Sequence, residues 1–129
     1  MKNIFILFLF LITLNVNAVE KETTFNQNLF NKAQSEGKVI IISSWIKYCS
    51  SCAGQMKILK EAKNDGKLND IKFENIEYFS FDVTNKNIAD FFNVQYQTTL
   101  IIFKDKKEVY RSLGETTKDL LYEAIKSSI

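Results

Sequence analysis

Short apolar runs alternate with segments of helical spacing along most of the chain. The run Val39–Trp45 is rich in isoleucine and predicts a strand that is buried on both faces of a sheet. Residues 76–83 and 99–103 predict a second and a third strand. After a turn at residues 104–107, residues 109–113 predict a fourth strand that completes a hairpin.

Helices are predicted between these strands. The first begins at the pair Thr24 and Gln27, which has the spacing of a capping box, and it ends at Gly37. Two further helices are predicted at residues 53–62 and 85–92.

A last helix is opened by Thr116 and Asp119, and its apolar residues follow a helical period. Residues 19–23 are compatible with an additional short strand, and residues 68–73 with an additional short helix. The order of the main elements is therefore αβαβαββα, which predicts an α/β fold. Strands that alternate with helices imply a parallel sheet covered on both faces, and the closing hairpin adds an antiparallel edge.

The first eighteen residues have the charge and hydropathy order of a secretory signal peptide. One positive charge at Lys2 precedes the apolar residues 4–14, and small residues follow at Val16 and Ala18. The apolar run is about half of the roughly 20 residues that span a bilayer. We expect cleavage after Ala18 and a single domain over residues 19–129. An uncleaved N-terminal membrane anchor is the alternative, and both place this domain outside the cytoplasm, in the periplasm or as a secreted protein.

Composition restricts the function further. The formal net charge is +2, and Lys2 lies in the predicted leader, so the domain carries almost no net charge. This balance gives no electrostatic basis for binding nucleic acid or anionic lipid. The chain contains no histidine and no proline. It therefore has no imidazole base and no histidine metal ligand.

Two signatures resemble the thioredoxin family. Residues 45–52 read Trp-Ile-Lys-Tyr-Cys-Ser-Ser-Cys, follow a buried strand and open a helix, as the family's active-site segment does. Residues 92–103 resemble the family's second signature, and Gly114 and the last helix also fit. The resemblance covers residues 24–129. It implies a thioredoxin fold, with a central mixed sheet of four to five strands flanked by helices on both faces. Residues 81–84 are most similar to exported reductases such as the C-terminal domain of DsbD and the cytochrome-c-maturation thioredoxins.

Two positions depart from the family pattern. Thr98 stands where the family has a cis-proline that faces the dithiol, and Ser43 stands where many members have a buried acid. A cis bond before a residue other than proline costs about 3–4 kcal/mol, so we predict a trans bond before Thr98 and a changed loop facing Cys49. Without an acid at position 43, water, Glu77 or Asp82 would assist proton transfer to the second cysteine.

The spacing of Cys49 and Cys52 supports thiol–disulfide exchange. Cys49 lies at the start of a helix, where unpaired N–H groups and the macrodipole favour a thiolate. Cys49 is therefore predicted as the attacking nucleophile, and Cys52, one turn later, as the resolving thiol. A structural disulfide would close too short a ring to stabilise the domain much. A zinc site needs four ligands, so two chains would have to pool their cysteines.

The sequence therefore predicts an extracytoplasmic thiol–disulfide oxidoreductase of the protein-disulfide reductase type. Its redox group is the Cys49–Cys52 disulfide, with no other cofactor and no metal. The expected partners are disulfide-containing extracytoplasmic proteins and a membrane or periplasmic thiol donor, with no nucleic acid, and the expected state is a monomer. The alternative is a non-catalytic binding module whose cysteine pair is structural or binds metal at a dimer interface. The residues predicted to contact substrate are Trp45, Tyr48, Gln97 and Thr98.

Overall fold

The computed structural model of the protein describes residues 21–129. Its four strands are β1 (Val39–Trp45), β2 (Ile76–Asp82), β3 (Thr99–Lys104) and β4 (Lys107–Leu113). They form one mixed sheet in the order β2-β1-β3-β4. Strand β1 is parallel to β2 and antiparallel to β3, and β3 pairs with β4 as an antiparallel hairpin.

Four helices cover the two faces of this sheet. They are α1 (Gln27–Ser35), α2 (Ser50–Glu61), α3 (Lys86–Phe91) and α4 (Lys118–Ser127). Side chains of α2 and α4 pack on one face, and side chains of α1 and the end of α3 pack on the other. The predicted α/β architecture, a mixed sheet with helices on both faces, is confirmed.

Alternation along β1 explains why both faces are covered. Ile41 belongs to the core beneath α2 and α4, whereas Ile40 and Ile42 belong to the core beneath α1 and α3. Because successive side chains of a strand point to opposite faces, an unbroken isoleucine run supplies both cores. The second core is aromatic, and its ring centroids lie 5.5 Å apart for Phe30 and Phe92 and 5.7 Å apart for Phe81 and Phe92.

The predicted capping box at Thr24 is wrong. Asn26 caps α1, and its side-chain oxygen accepts the backbone N–H groups of Asn28 and Leu29 at 2.9 and 3.1 Å. The Thr24 hydroxyl instead accepts the backbone N–H of Ser80 at 2.9 Å. Asparagine directly before the helix takes the cap because Thr24 is held against β2 and cannot reach the first turn.

Two shorter predictions also need correction. Residues 21–26 contain no strand, and residues 19–20 of the predicted strand lie outside the described part of the chain. Residues 68–73 do not form one helix, because two separate 3₁₀ turns, Gly66–Leu68 and Phe73–Asn75, flank a bend.

The loop that carries the cysteines follows the C-terminal end of β1, and the loop before β3 lies beside it. Within residues 21–129 no helix has the length and apolar character needed to cross a membrane. The predicted signal peptide, residues 1–18, lies outside the described residues, as does the alternative anchor.

Candidate active site

Cys49 and Cys52 form a disulfide at the start of α2, with their Cα atoms 5.3 Å apart. Cys49 is the N-cap residue of the helix, and its sulfur accepts the backbone N–H of Cys52 at 3.1 Å. Cys52 is fully buried, whereas Cys49 is partly exposed. The sulfur that solvent can reach therefore lies among unpaired helix N–H groups, which favour a negative charge.

The side chain of Thr98 faces the disulfide. Its hydroxyl oxygen lies 3.2 Å from the Cys52 sulfur, 3.7 Å from the Cys49 sulfur and 3.1 Å from the Ser51 hydroxyl. The predicted trans bond between Gln97 and Thr98 is confirmed, since residues 21–129 contain no cis peptide bond. Thr98 adopts φ +59°, which is unusual for a β-branched residue and costs roughly 1–3 kcal/mol.

Backbone hydrogen bonds hold Thr98 in this conformation from two sides. Its N–H donates to the carbonyl of Ser44 at 2.8 Å, and its carbonyl accepts the N–H of Gly114 at 2.9 Å. The Ser44 hydroxyl also donates to the carbonyl of Tyr96 at 2.8 Å and accepts the N–H of Thr99 at 3.0 Å. Strand β1 and the residue that directly follows β4 therefore fix the loop that presents the threonine hydroxyl.

Gln55 connects this loop to α2. Its side chain is fully buried, and its amide nitrogen donates to the carbonyls of Glu115 at 2.8 Å and Thr98 at 3.5 Å. Gln55 lies almost one turn after Cys52, so it occupies the same inward side of the helix. No motif in the sequence pointed to Gln55, although a polar residue three positions after the second cysteine was a usable signal.

Ser43 is buried and forms a hydrogen bond with a tyrosine. Its hydroxyl oxygen lies 2.6 Å from that of Tyr78. Burial raises the pKa of Tyr78 to about 12, although the hydrogen bond to Ser43 acts in the opposite direction. Tyr78 packs against the core beneath α2. The position of the family's buried acid is therefore occupied by a neutral pair.

Glu77 and Asp82 were suggested to assist proton transfer in place of the family's buried acid, but neither carboxylate occupies that position. Glu77 accepts a hydrogen bond from Lys38 at 2.7 Å and lines a cavity beside α1, on the opposite face from α2. Asp82 accepts the N–H of Thr84 at 2.9 Å and its hydroxyl at 2.8 Å in the turn after β2. Both carboxylates are engaged by groups away from Cys52, so the assignment of a relay role to them is not supported.

The four residues predicted to contact substrate differ in exposure and in the contacts they make. Tyr48 precedes Cys49 and is 91% exposed. Gln97 is exposed, and Trp45 is half-buried, with its indole N–H donating to the carbonyl of Glu22 at 3.2 Å. Thr98 is buried against the sulfurs, so it is the only member of this set with a described sulfur contact.

Two residues near the site were missed. Tyr96 is 58% exposed in the loop before Thr98, and its carbonyl accepts the hydroxyl of Ser44 at 2.8 Å. The ammonium of Lys21 donates to the carbonyls of Ile46 and Cys49 at 3.1 and 2.9 Å. No local pattern pointed to Lys21, because it lies 28 residues from Cys49 in the sequence. Among residues 21–129 no group of three or more potential metal ligands occurs.

A mixed sheet flanked by helices, with a C-x-x-C disulfide where β1 leads into α2, defines a thioredoxin-fold redox protein. The sequence model of the thioredoxin family matches residues 16–127, and the chain belongs to this family. The domain boundary predicted at residue 19 is not settled by this match, which begins within the predicted leader.

Individual relatives agree with this assignment. A thioredoxin H-type of Fagopyrum esculentum is 27% identical over 95 residues, which cover 73% of this chain and 76% of the relative. The solved structure of Trxlp from Edwardsiella tarda has a TM-score of 0.67 at 24% identity, and the match covers 78% of this chain and 93% of that one. Thioredoxin NaTrxh from Nicotiana alata has a TM-score of 0.63 at 25% identity, with 79% and 83% covered. Family and cysteine pair together indicate thiol–disulfide redox chemistry.

Proposed function

We propose that the protein is an extracytoplasmic thiol–disulfide oxidoreductase that acts mainly as a reductase of protein disulfides. One observation carries this proposal: the partly exposed Cys49 sulfur caps the twelve-residue helix α2, with the buried Cys52 behind it. The arrangement supplies a reachable nucleophile and a resolving thiol that substrate does not contact first.

The reaction proceeds in two exchanges. In the reduced protein the Cys49 thiolate attacks a substrate disulfide, one new S–S bond forms, and the first substrate sulfur leaves as a thiolate that takes up a proton. Cys52 then loses its proton and attacks the Cys49 sulfur, which releases the second substrate thiol. Two electrons and two protons pass to the substrate, and the Cys49–Cys52 disulfide remains.

The residues between the cysteines favour the reductive direction. Ser50 and Ser51 are uncharged, and the chain has no histidine that could stabilise the thiolate strongly. Without a charged residue between the cysteines, we expect a potential closer to about −270 mV for thioredoxin than to about −120 mV for the oxidant DsbA. A dithiol donor outside the cytoplasm, in the membrane or the periplasm, would return the pair to its reduced form.

The surface around Cys49 suits a protein substrate. Tyr48 and Tyr96 expose large parts of their rings, at 91% and 58%. Aromatic side chains of this kind bury much area against a partner at low entropic cost. The predicted leader at residues 1–18 supports export, and mass spectrometry of the N-terminus of protein recovered outside the cytoplasm tests it.

Insulin reduction by dithiothreitol tests the catalytic proposal. Wild type should accelerate precipitation of the insulin chains, and Cys49→Ser should fall to the rate of the Cys49→Ser/Cys52→Ser double variant. Cys52→Ser should accumulate a mixed disulfide with substrate that mass spectrometry detects. Equal rates for wild type and Cys49→Ser would overturn the proposal in favour of a binding module. The equilibrium potential against glutathione buffers then separates a reductase from an oxidase.

A further inference from the structure

The segment before α1 reaches from the edge of the sheet to the cysteine loop. We call residues 21–25 the N-terminal arm. We propose that this arm places Lys21 as a positioning residue for the dithiol. Lys21 holds the cysteine loop and stabilises the Cys49 thiolate. The inference rests on the proposed function, because it concerns the same reacting sulfur.

The arm is fixed to the outer edge of β2. The Ser80 carbonyl accepts the N–H groups of Thr24 and Phe25 at 2.8 and 3.1 Å. The Thr23 hydroxyl accepts the N–H of Asp82 at 3.1 Å, and the Ser80 hydroxyl donates to the carbonyl of Glu22 at 2.6 Å. Strand β2 would otherwise present a row of unpaired backbone groups there. These contacts fix the position of the N-terminal arm along the edge of β2.

The arm also meets the end of β1. The carbonyl of Glu22 accepts the indole N–H of Trp45 at 3.2 Å, and Trp45 is the last residue of the strand before the cysteine loop. The carbonyl of Glu22 therefore contacts both β2 and the tryptophan, and the preceding residue, Lys21, contacts the cysteine loop itself.

The ammonium of Lys21 bridges the two ends of that loop. It donates to the carbonyl of Ile46, which begins the loop, and to that of Cys49, which ends it. The same Cys49 carbonyl accepts the N–H of Ala53 at 3.2 Å in the first turn of α2. Lys21 is partly buried, so solvent screens its charge less than that of a fully exposed lysine.

This placement brings a positive charge close to the nucleophile. Covalent geometry keeps the carbonyl oxygen of a residue and its own side-chain sulfur within about 5 Å, so the Lys21 nitrogen lies within about 8 Å of the Cys49 sulfur. A cation at this range favours the thiolate over the thiol, in addition to the helix N-terminus.

Other charged groups near the loop are occupied differently. The Lys47 ammonium lies 5.0 Å from the centroid of the exposed Tyr48 ring. Asp82 is engaged by Thr84, and Glu22 contributes its backbone carbonyl. Lys21 is thus the cation with a described hydrogen bond to Cys49 itself.

The test measures the alkylation rate of Cys49 against pH in the reduced protein, recovered after export with its N-terminus established by mass spectrometry. The variants are Lys21→Gln and Lys21→Arg, and Lys126→Gln is the matched control. Lys126 lines a cavity with Val39 and Ile76, at the opposite end of β1 from the cysteines. Insulin reduction is measured on the same samples.

Lys21→Gln should raise the pKa of the Cys49 thiol by about 0.5–1, and so slow alkylation about three- to tenfold at pH values well below that pKa. Lys21→Arg should restore the wild-type profile, and Lys126→Gln should leave it unchanged. The difference should shrink between about 0.01 M and about 1 M salt, where the Debye length falls from about 30 to 3 Å. A merely structural lysine would show no such salt dependence.

The two failures are distinguishable. A wild-type protein with an ordinary thiol pKa and no insulin reduction overturns the proposed function. A reactive wild type whose pH profile is shared by Lys21→Gln overturns the role of Lys21 alone, as does an equal change in Lys126→Gln.

Discussion

The hydroxyl oxygen of Thr98 lies 3.2 Å from the sulfur of Cys52, within hydrogen-bond distance of the buried partner of the disulfide. The family places a proline at this position, and proline has no group that can donate to sulfur. The same hydroxyl lies 3.7 Å from the Cys49 sulfur, and it stabilises the reduced pair because a thiolate accepts a hydrogen bond more strongly than a disulfide sulfur does.

Thr98→Val should therefore lower the equilibrium potential of the pair. Valine keeps the shape of threonine and removes the donor, so the reduced form loses about 0.5–1.5 kcal/mol. For a two-electron couple this corresponds to about 10–30 mV in the negative direction. Equilibration with glutathione buffers measures it. Thr98→Ser retains the hydroxyl and should stay near the wild-type value, and a potential unchanged in the valine variant would contradict this role.

The Ser43–Tyr78 pair should behave as one unit. Ser43→Ala or Tyr78→Phe alone leaves a buried hydroxyl without its partner and should lower the free energy of unfolding by about 1–3 kcal/mol. The double variant removes both hydroxyls and should recover much of this loss. Denaturation by urea measures the cycle. Additive losses in the double variant would show that the two hydroxyls do not interact.

Gln55→Met should loosen the loop of Thr98 without emptying the core. Methionine has a similar length but cannot donate to the carbonyls of Glu115 and Thr98, so the first loses this donor and the second keeps only the N–H of Gly114. We expect a loss of about 1–3 kcal/mol and faster hydrogen exchange at Gly114, whose N–H donates to Thr98. Unchanged exchange there would mean that Gln55 does not support the loop.

Asp65 should make the stability depend on acid pH. Its hydrogen bond from Lys118, followed by those from the Lys67 backbone and the Tyr122 hydroxyl, lowers its pKa from 3.8 to about 2. A group with a depressed pKa in the folded state stabilises it above the unfolded value, and this contribution disappears as the pH falls towards 2.

Asp65→Asn should consequently lower Tm by a few degrees at pH 7. The difference from wild type should narrow below pH 4 and close only as the pH falls below about 2. Asp70→Asn changes the same charge at an exposed position and serves as the control. A gap that stays constant from pH 7 to pH 2 would show that ionisation of Asp65 has no part in it.

The sequence predicted those features that neighbouring residues determine. The isoleucines of β1 and the Cys49–Cys52 spacing carry their signal within a few positions, so the sheet and the dithiol were both anticipated. The trans bond before Thr98 followed from the local cost of the cis form. The left-handed φ of Thr98 and its contact with Cys52 did not follow from local sequence. Ser44 and Gly114, which are distant from Thr98 in the sequence, impose them.

Long-range contacts account for what was missed. Lys21 reaches Cys49 only because the edge of β2 fixes the arm, and the same contacts remove Thr24 from its predicted cap. Asn26 was an equally good cap by residue type, and local preference alone could not rank the two. The likeness to exported reductases and the leader at residues 1–18 stay predictions.

The neutral character of the Ser43–Tyr78 pair also determines how the redox equilibrium responds to acidity. A carboxylic acid at that position would add its own ionisation to the pH dependence of the redox potential. A tyrosine whose pKa is about 12 instead stays protonated at every physiological pH. At pH values below the thiol pKa, the midpoint potential should then fall by about 59 mV for each unit by which the pH rises, because two protons accompany two electrons. A single straight line from acidic solution up to the pKa of the Cys49 thiol would be the electrochemical signature of this substitution.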